Sequence, residues 1–335
     1  MIVRGKAPLR VSFAGGGTDV PPFPQLEGGA VLSATIDRYA YGSLRPRSDG
    51  QVCIESVDFG RKVDFHLADE LVLDGQLDLV KAAIKRIGNG AREGYDLVLR
   101  TNAPPGSGLG SSSTMMVALV ALLQNHYNLP LSEYELAELA WHIERVDLGI
   151  EGGVQDHYAA TFGGFNFIEI GERVIVNPLR VPADVVNELE MNLLLCYTGV
   201  SRESTKVIED QTSRVVAANA ETMAGLRAQK VLAVDMKSAL LRGQLDQFGD
   251  LLCQAWEEKK RMSPMISTPR IEEVFAEARK HGARGGKVTG AGGGGHILFY
   301  CDFTCRHNVI AALERMGCVL SEFSFAPNGV ATWRA

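Results

Sequence analysis

Residues 103–114 read Ala-Pro-Pro-Gly-Ser-Gly-Leu-Gly-Ser-Ser-Ser-Thr. The segment before it, 95–101, has the pattern of a strand, and residues 111–127 form the apolar run of a helix buried on most sides. Glycines let the backbone turn tightly here, and the free N–H groups and dipole of the following helix favour negative charge at the same point. The segment therefore predicts an anion-binding loop. The alternative is a flexible loop followed by serine caps.

The spacing of this loop excludes two common nucleotide motifs. No Gly-Lys-Ser/Thr ends it, as a Walker A loop requires, and Gly106, Gly108 and Gly110 give G-x-G-x-G rather than the dinucleotide G-x-G-x-x-G. The four hydroxyl residues at 111–114 offer oxygen atoms to a phosphate or a metal ion.

A second glycine segment, residues 287–296, reads Lys-Val-Thr-Gly-Ala-Gly-Gly-Gly-Gly-His. Gly290, Gly292 and Gly295 match G-x-G-x-x-G, but an apolar strand-like run follows them instead of a helix, so the Rossmann context fails. Glycines between two strands are typical of a surface that a ligand approaches closely. A merely mobile hairpin is the alternative.

A third segment combines two cations with a glycine turn. Lys6 and Arg10 precede Phe-Ala-Gly-Gly-Gly-Thr-Asp at residues 13–19. The cations could neutralise a phosphate, and a carboxylate in such a turn can accept hydrogen bonds from hydroxyl groups or take a proton. A strand and turn with surface charges would look the same.

Two acidic residues flank a glycine turn farther along. Glu144 lies late in a helix that a capping box opens at Ser132 and Glu135 and that continues to about Leu148, and Asp156 follows Gly152 and Gly153. One acid could bind Mg²⁺ while the other accepts a proton. Ordinary surface acids are the alternative.

Composition narrows the possible functions. The chain has 335 residues, a formal charge of −6 and no basic stripe, which argues against a general nucleic-acid binder. It has no run of 18 apolar residues and no secretory leader, so we expect neither a membrane span nor export. The six cysteines show no zinc spacing and fit free thiols in the cytoplasm.

The second half changes character along its length. Helical patterns over 203–242, 244–261 and 269–281 are followed by a strand–loop–strand–helix–strand order from 284 to 326. This order favours a separate α+β domain, with a boundary near 175–190. His142, His157 and His296 are interpreted as structural or solvent histidines, and Lys259, Lys260 and Arg261 as a charged helix end.

Taken together, the three glycine segments resemble the GHMP kinase superfamily. Residues 104–113 are similar to its phosphate loop, 287–295 to its third motif and 6–19 to its substrate-facing first motif. The resemblance covers nearly the whole chain. It implies an α+β, two-domain fold: an N-terminal domain like ribosomal protein S5 domain 2 over residues 1–180, and a ferredoxin-like domain over 181–335. Residues 155–169 and the turn at 13–19 resemble the sugar-1-kinase branch that acts on D-glycero-D-manno-heptose 7-phosphate.

The resemblance also implies roles for individual residues. Asp156 matches a proposed catalytic base, Arg10 and Lys6 match cations near the transferred phosphate, and Ser112 and Glu144 match Mg²⁺ ligands. The expected nucleotide-binding residues are Pro105, Gly106, Ser107, Gly108, Gly110, Ser111, Ser112 and Ser113. The expected substrate-binding residues are Gly16, Gly17, Thr18, Asp19, Gly292, Gly293 and Gly294.

A substrate that carries its own phosphate needs a further anion site. Residues 198–206 place a Gly/Ser turn before a helix, with Arg202 and Lys206 in its first turns. An ordinary capped helix start is the alternative.

The function implied is transfer of phosphate from ATP, with Mg²⁺, to the anomeric hydroxyl of the heptose phosphate. The expected partners are therefore ATP and a sugar phosphate, without nucleic acid or membrane, and a homo-oligomer is possible. Two alternatives stay open: a kinase for fucose, another neutral sugar or a small alcohol such as homoserine, and a binding regulator without turnover.

Overall fold

Two sheets and the helices packed on them organise the chain. The structure is a computed structural model that describes residues 1–88, 93–103, 106–200 and 204–335. Its elements in chain order are β1 (Val3–Ala14), α1 (Phe23–Glu27), β2 (Gly29–Arg47), β3 (Gln51–Ser56), β4 (Arg61–His66), α2 (Asp78–Ile87), β5 (Gly94–Thr101), α3 (Ser111–Tyr127), α4 (Glu133–His142), a π-helical turn (Ile143–Asp147), α5 (Gln155–Phe162), β6 (Phe165–Ile170), β7 (Val174–Pro178), α6 (Ala183–Asn192), β8 (Leu193–Tyr197), α7 (Ser204–Val216), α8 (Ala220–Leu241), α9 (Leu245–Lys260), α10 (Pro269–Lys280), β9 (Ala283–Val288), β10 (His296–Cys301), α11 (Phe303–Arg315), β11 (Val319–Ser321) and β12 (Ala331–Arg334).

The first sheet has the order β12-β1-β2-β5-β3-β4, and β6 and β7 extend it from β2. The 19-residue strand β2 is its centre, because it pairs with β1, with β5 through residues 40–47 and with β6 through residues 29–34. β3 and β5 run parallel, and the other pairs are antiparallel. The sheet holds β1 with its glycine turn beside the phosphate loop that follows β5.

The second sheet is antiparallel, with the order β11-β8-β10-β9. Helices α9, α10 and α11 contact its strands. The second glycine segment connects β9 to β10, as the sequence predicts for a loop between strands. Two sheets with helices on them confirm the expected α+β class.

Helix α3 carries the phosphate loop at its N-terminus. Eight consecutive residues, Met116–Leu123, are buried together with Ser113 and Thr114, because the helix contacts β1, β2, α2 and α4. A helix that is apolar all round must lie inside the protein. The position of its N-terminus is therefore fixed by packing on the first sheet.

One hydrophobic core joins residues from both halves of the chain. Leu9 and Phe13 of β1 lie in the same cluster as Phe248 of α9 and Leu298 of β10. The rings of Phe13 and Phe248 meet edge to face at 5.2 Å. In addition, β12 returns to pair with β1. The division at residue 180 stays a prediction.

The secondary structure differs from the expectation at several points. The glycine-rich passage after residue 149 contains helix α5. In the segment predicted to be helical over 203–242, the described residues form two helices, α7 and α8, with a break around Ala218, whose φ is +50°. A left-handed residue interrupts helical hydrogen bonding, which explains the break. β12 lies beyond the expected last strand. Within the described residues, no helix has the length and apolarity needed to cross a membrane.

Candidate active site

Glycines of all three segments line one cleft of about 460 Å³. The cleft wall includes the turn after β1, the loop before α3, the start of α5, the start of α7, the end of α9 and the loop after β9. Its polar and charged side chains are those of Arg10, Asp19, Ser111, Ser112, Ser113, Glu144, Arg145, Glu151, Gln155, Asp156, Ser204, Thr205, Gln211 and Lys259. Strand and helix ends thus bring together residues that are far apart in sequence.

Arg10 and Asp156 form the charged pair at the middle of this cleft. Arg10 is 3% exposed, and its Nε and Nη2 donate to the two carboxylate oxygens of Asp156 at 2.6 and 2.8 Å. Its Nη1 donates to the Gly108 carbonyl oxygen at 2.7 Å. This fork-like pairing fixes both side chains, and it ties the predicted base to the phosphate loop.

Glu144 stands behind the phosphate loop and is almost fully buried. Ser112 Oγ and Ser113 Oγ donate to its carboxylate at 2.6 and 2.7 Å, and His157 Nε2 lies 2.7 Å from Oε2. Burial alone would raise the pKa of Glu144. The hydrogen bond and charge of His157, the charge of Arg145 and the bond from Ser112 outweigh it and lower the pKa to about 2. Glu144 is therefore an ionised carboxylate.

Asp19 is held at the other end of the cleft by backbone and amide donors. Its oxygens accept from the Gly17 N–H, the Gln155 N–H and Gln155 Nε2, all at 3.0–3.1 Å. A Cβ on Gly153 would lie 1.9 Å from Asp19 Oδ2, so this position excludes any side chain. The glycine turn before Asp156 thus brings α5 up to Asp19.

The phosphate loop and the third glycine segment touch through their backbones. A Cβ on Gly290 would lie 2.8 Å from the Gly108 carbonyl oxygen, and a Cβ on Gly295 would lie 2.6 Å from that of Ser107. The N–H and Nδ1 of His296 lie 3.0 and 2.8 Å from the Ser107 carbonyl oxygen. Burial lowers the pKa of His296, which favours a neutral imidazole with Nδ1 as the donor. His296 therefore helps hold the loop, in agreement with a structural role.

A second cavity of about 330 Å³ adjoins the phosphate loop on its other side. It shares Gly106, Ser111 and Ser112 with the cleft. Its remaining apolar residues are Phe59, Leu77, Leu79, Val80, Leu99 and Met115. The sequence analysis missed this cavity, because its residues come from β3, β4, α2, β5 and α3 and the adjoining loops, and they share no motif.

Several predicted site residues do not line the cleft. Lys6 Nζ lies over the ring of Tyr39 at 4.5 Å, and Thr18 is buried with its hydroxyl bonded to the backbone of Gly15 and Ala30. The cleft lining also lacks Ser107, Lys206, Gly292, Gly293 and Gly294. The third glycine segment contributes Gly290 and Ala291 to the lining instead. Pro105 and Arg202 lie outside the described residues.

Two residues that the sequence analysis left aside belong to the site. His157 binds Glu144, and its place next to Asp156 on α5 is the signal that could have pointed to it. Lys259 lines the cleft and is 2% exposed. Lys259 lies in the last turn of α9, as the sequence predicts for a charged helix end, but its side chain is buried in the cleft wall and not exposed to solvent. A surface run and a buried lysine look alike in sequence.

Ser112 and Glu144 are the candidate protein ligands for a magnesium ion. Within the described residues, no group of three His, Cys, Asp or Glu side chains could hold a metal by itself. One carboxylate and one hydroxyl do fit Mg²⁺, which prefers oxygen ligands and usually shares them with substrate phosphates and water. The residues present therefore fit an ion that arrives with a nucleotide.

Comparison with known proteins agrees with this geometry. Residues 78–164 match the GHMP kinases N terminal domain, and residues 236–317 match the GHMP kinases C terminal domain. The chain is 38% identical to D-glycero-alpha-D-manno-heptose 7-phosphate kinase of Campylobacter jejuni, over 99% of both chains. A crystal structure described as a D-glycero-D-manno-heptose 1-phosphate kinase of Bacteroides thetaiotaomicron superposes with a TM-score of 0.84, at 35% identity over 99% of both chains.

A more distant relative is the L-fucokinase/L-fucose-1-P guanylyltransferase of Bacteroides fragilis, which is 26% identical over 88% of this chain but only 34% of its own length. A glycine-loop phosphotransferase is thus the class that the fold and cleft define. The chain belongs to the GHMP kinases, and it is an ATP-dependent phosphotransferase of the sugar-kinase type.

Proposed function

We propose that the protein phosphorylates the anomeric C1 hydroxyl of D-glycero-D-manno-heptose 7-phosphate to give the 1,7-bisphosphate. The observation that carries the choice of substrate is the 38% identity, end to end, to a heptose 7-phosphate kinase. The transferred γ-phosphoryl group leaves ADP and forms a bond to the C1 oxygen, which loses its proton. We further propose that this takes place in the cytoplasm, where its co-substrate ATP is available.

The nucleotide is proposed to span the two cavities. Its base fits the apolar cavity between Leu77, Leu99 and Met115, and its phosphates fit the loop at 106–110 and the N-terminus of α3. Backbone N–H groups and the helix dipole favour an anion at that point. Since the two cavities share Gly106, Ser111 and Ser112, one extended ligand can occupy both.

Ser112 and Glu144 are the residues that would hold Mg²⁺. When bound, the ion neutralises charge on the phosphate oxygens. The chain contributes by keeping the Glu144 carboxylate ionised and by aiming Ser112 Oγ at it at 2.6 Å. His157 and Ser113 hold that carboxylate in place from the protein side.

Asp156 and Arg10 are proposed to act on the reacting groups. A carboxylate has about four lone-pair sites, so Asp156 can pair with Arg10 and still accept the proton of the C1 hydroxyl. An anomeric hydroxyl is more acidic than an ordinary alcohol, so orientation of that proton suffices without a strong base. Arg10 places a positive charge next to Gly108 of the phosphate loop, where it offsets charge on the transferred group.

The phosphate of the substrate is proposed to bind near the start of α7. Ser204 and Thr205 line the cleft there, next to the segment that contains Arg202. Replacing Arg202 by alanine is expected to raise KM for the heptose phosphate at least about tenfold, as for loss of a charged hydrogen bond. An unchanged KM would remove Arg202 from this role.

The first experiment is phosphorus NMR of the purified protein with Mg-ATP and D-glycero-D-manno-heptose 7-phosphate. A new anomeric phosphate signal that grows with ADP supports a C1 kinase for this sugar. ADP formation with fucose or another neutral sugar, and none with the heptose phosphate, would replace the substrate. Absence of transfer to every acceptor would favour a binding protein without turnover. Sedimentation of the same sample will show whether a homo-oligomer forms.

A further inference from the structure

Lys259 is a buried cation in the wall of the active-site cleft. It lies near the end of α9, is 2% exposed and lines the cleft. Within the described residues, no carboxylate forms an ion pair with it, and the hydrogen-bond acceptor of its Nζ is the Gly16 carbonyl oxygen, at 3.5 Å. An ammonium group has three donors. At least two of them therefore have no acceptor among the residues that the structure describes.

Two further polar side chains near Lys259 are also incompletely paired. Ser12 Oγ and Gln155 Oε1 are buried and have no hydrogen-bond partner among the described residues. Ser12 is 1% exposed and Gln155 is 9% exposed. Buried polar atoms are nearly always paired in folded proteins. Ser12 on β1 and Gln155 on α5 therefore each keep an unpaired polar atom close to the incompletely paired Lys259 on α9.

The three side chains converge on one position in front of Gly16. A Cβ added to Gly16 would lie 3.3 Å from Ser12 Oγ, 3.5 Å from Gln155 Nε2 and 3.9 Å from Lys259 Nζ. Gly16, Gln155 and Lys259 line the cleft, and Ser12 lies directly behind them. Because Gly16 has no side chain, a ligand in the cleft can approach these polar groups closely.

The surrounding charges explain why the arrangement is costly without a ligand. Burial lowers the pKa of Lys259 to about 8, Asp19 opposes this effect and Arg10 adds to it. Lys287 lies in the same region, where its Nζ donates to the Ser12 carbonyl oxygen at 3.1 Å, and burial with the charges of Lys259 and Arg10 lowers its pKa well below the usual range. Burying an unpaired cation destabilises a fold, so a retained one points to a ligand.

The mixture of donors and acceptors selects the chemistry of that ligand. A phosphate site offers donors alone, whereas Asp19 lines the same cleft, acts on Lys259 through its negative charge and accepts a hydrogen bond from Gln155 Nε2. That carboxylate would repel a phosphate. A sugar hydroxyl both donates and accepts, so it satisfies Lys259, Ser12 and Gln155 together.

We infer that Lys259, Ser12 and Gln155 form a subsite that binds hydroxyl groups on the ring of the acceptor sugar, next to the hydroxyl that is phosphorylated. This inference rests on the proposed function for the identity of the sugar. It adds a specificity determinant from the C-terminal half of the chain, and it assigns Lys259 to the acceptor rather than to ATP.

The test is steady-state kinetics of Lys259→Gln with D-glycero-D-manno-heptose 7-phosphate and ATP varied in turn. The variant is expected to raise acceptor KM at least about tenfold, as for loss of a charge-assisted hydrogen bond, and to leave KM for ATP within about twofold. Lys260→Gln is the matched control, because this neighbouring lysine pairs with Glu257 and Glu272 outside the cleft. It is expected to behave as the wild type.

The unphosphorylated heptose separates a hydroxyl site from a phosphate site. If Lys259 binds ring hydroxyls, the loss in Lys259→Gln is equally large for the heptose and its 7-phosphate. A loss confined to the 7-phosphate would overturn the inference. An unchanged acceptor KM in Lys259→Gln would also overturn the inference. An effect on kcat and on KM for ATP would overturn it as well, because it would assign Lys259 to the transferred phosphoryl group.

Folding is checked by thermal unfolding of the same variants. Lys259→Gln is expected to melt at or above the wild-type temperature, since it removes a buried charge. Ser12→Ala is the second variant. The Ser12 hydroxyl has no hydrogen-bond partner among the described residues, so its removal breaks no bond there, and it is expected to raise acceptor KM a few-fold.

If the wild type transfers phosphate to no sugar, the proposed function fails. Calorimetric titration of wild type and Lys259→Gln with the heptose phosphate in the presence of ADP still tests the subsite. Equal affinities would reject it.

Discussion

Asp156 directs both of its oxygens at Arg10, so the residue that is proposed to receive a proton is also half of an ion pair. We expect Asp156→Asn to lower kcat at least about 100-fold, the scale of a lost general base. Asparagine keeps the shape but neither the charge nor the second acceptor. The measurement is kcat at saturating ATP and acceptor.

Asp147→Asn serves as the control for this variant. Asp147 lies in the π-helical turn, pairs with His142 of α4 and Arg86 of α2, and does not line the cleft. A near-normal kcat in Asp156→Asn would exclude Asp156 as the proton acceptor.

Glu144 makes a stability contribution that depends on pH. Its pKa is lowered to about 2 in the folded protein from 4.5. The contribution is therefore complete above about pH 4.5 and is lost as the pH falls toward 2. A difference of this size corresponds to about 3 kcal/mol. We expect Glu144→Gln to be less stable by roughly that amount at pH 7, with the difference shrinking toward pH 3.

Urea unfolding at pH 3, 5 and 7 measures this difference. Equal stabilities of wild type and Glu144→Gln at pH 7 would show that the carboxylate is not held by Ser112, Ser113 and His157 in the way described.

The two glycine loops form one unit at the level of elements. A Cβ on Gly290 would meet the Gly108 carbonyl oxygen at 2.8 Å, and Gly290 has φ +71°. Gly290→Ala is therefore expected to destabilise the fold by about 1–3 kcal/mol and to raise KM for ATP. Thermal unfolding and ATP kinetics measure the two effects.

Gly171→Ala, between β6 and β7, is the matched control, because nothing lies within 4 Å of its added Cβ. It is expected to match the wild type in both measurements. If Gly290→Ala did the same, the loops would not be in contact.

Sequence patterns predicted some elements closely and others not at all. Strand β5, helix α3 and the capping box at Ser132 follow from local periodicity and side-chain chemistry. Helix α5 is only eight residues long and lies between glycines, so its hydrophobic residues show no clear helical period. Strand β2 has buried and partly exposed stretches along its 19 residues, so its hydrophobic residues do not alternate regularly. Local patterns report local preferences, whereas these two elements are defined by tertiary pairing.

The same limit applies to the site. The motif glycines 106, 108 and 110 line one cleft together with Asp19, Glu144 and Asp156, as the sequence predicted for a phosphate-handling protein. Lys259 and the apolar cavity could not be found, because burial and convergence exist only after folding. The assignment of Lys6 and Thr18 to the site stays a prediction without support from the cleft geometry.

At the scale of the whole molecule, the largest core takes residues from both halves. Leu9 and Phe13 pack with Met236 and Phe248. We therefore expect residues 1–180, expressed alone, to lack a cooperative thermal transition, because the fragment exposes the part of the core that α8 and α9 cover. The full chain is expected to unfold in one transition.

Circular dichroism in the near ultraviolet and calorimetry of both proteins test this expectation. A fragment that unfolds cooperatively would establish residues 1–180 as an autonomous domain.

The pairing of β12 with β1 has a consequence for biosynthesis. Residues 3–6 of β1 bond to residues 331–334, which leave the ribosome more than 300 residues later. Until then the first sheet presents an open edge, and open edges recruit strands from neighbouring chains. Vectorial folding, in which early segments fold first, is thus incomplete for this sheet until residues 331–334 have been synthesised. Stalled or truncated nascent chains are the species most exposed to aggregation.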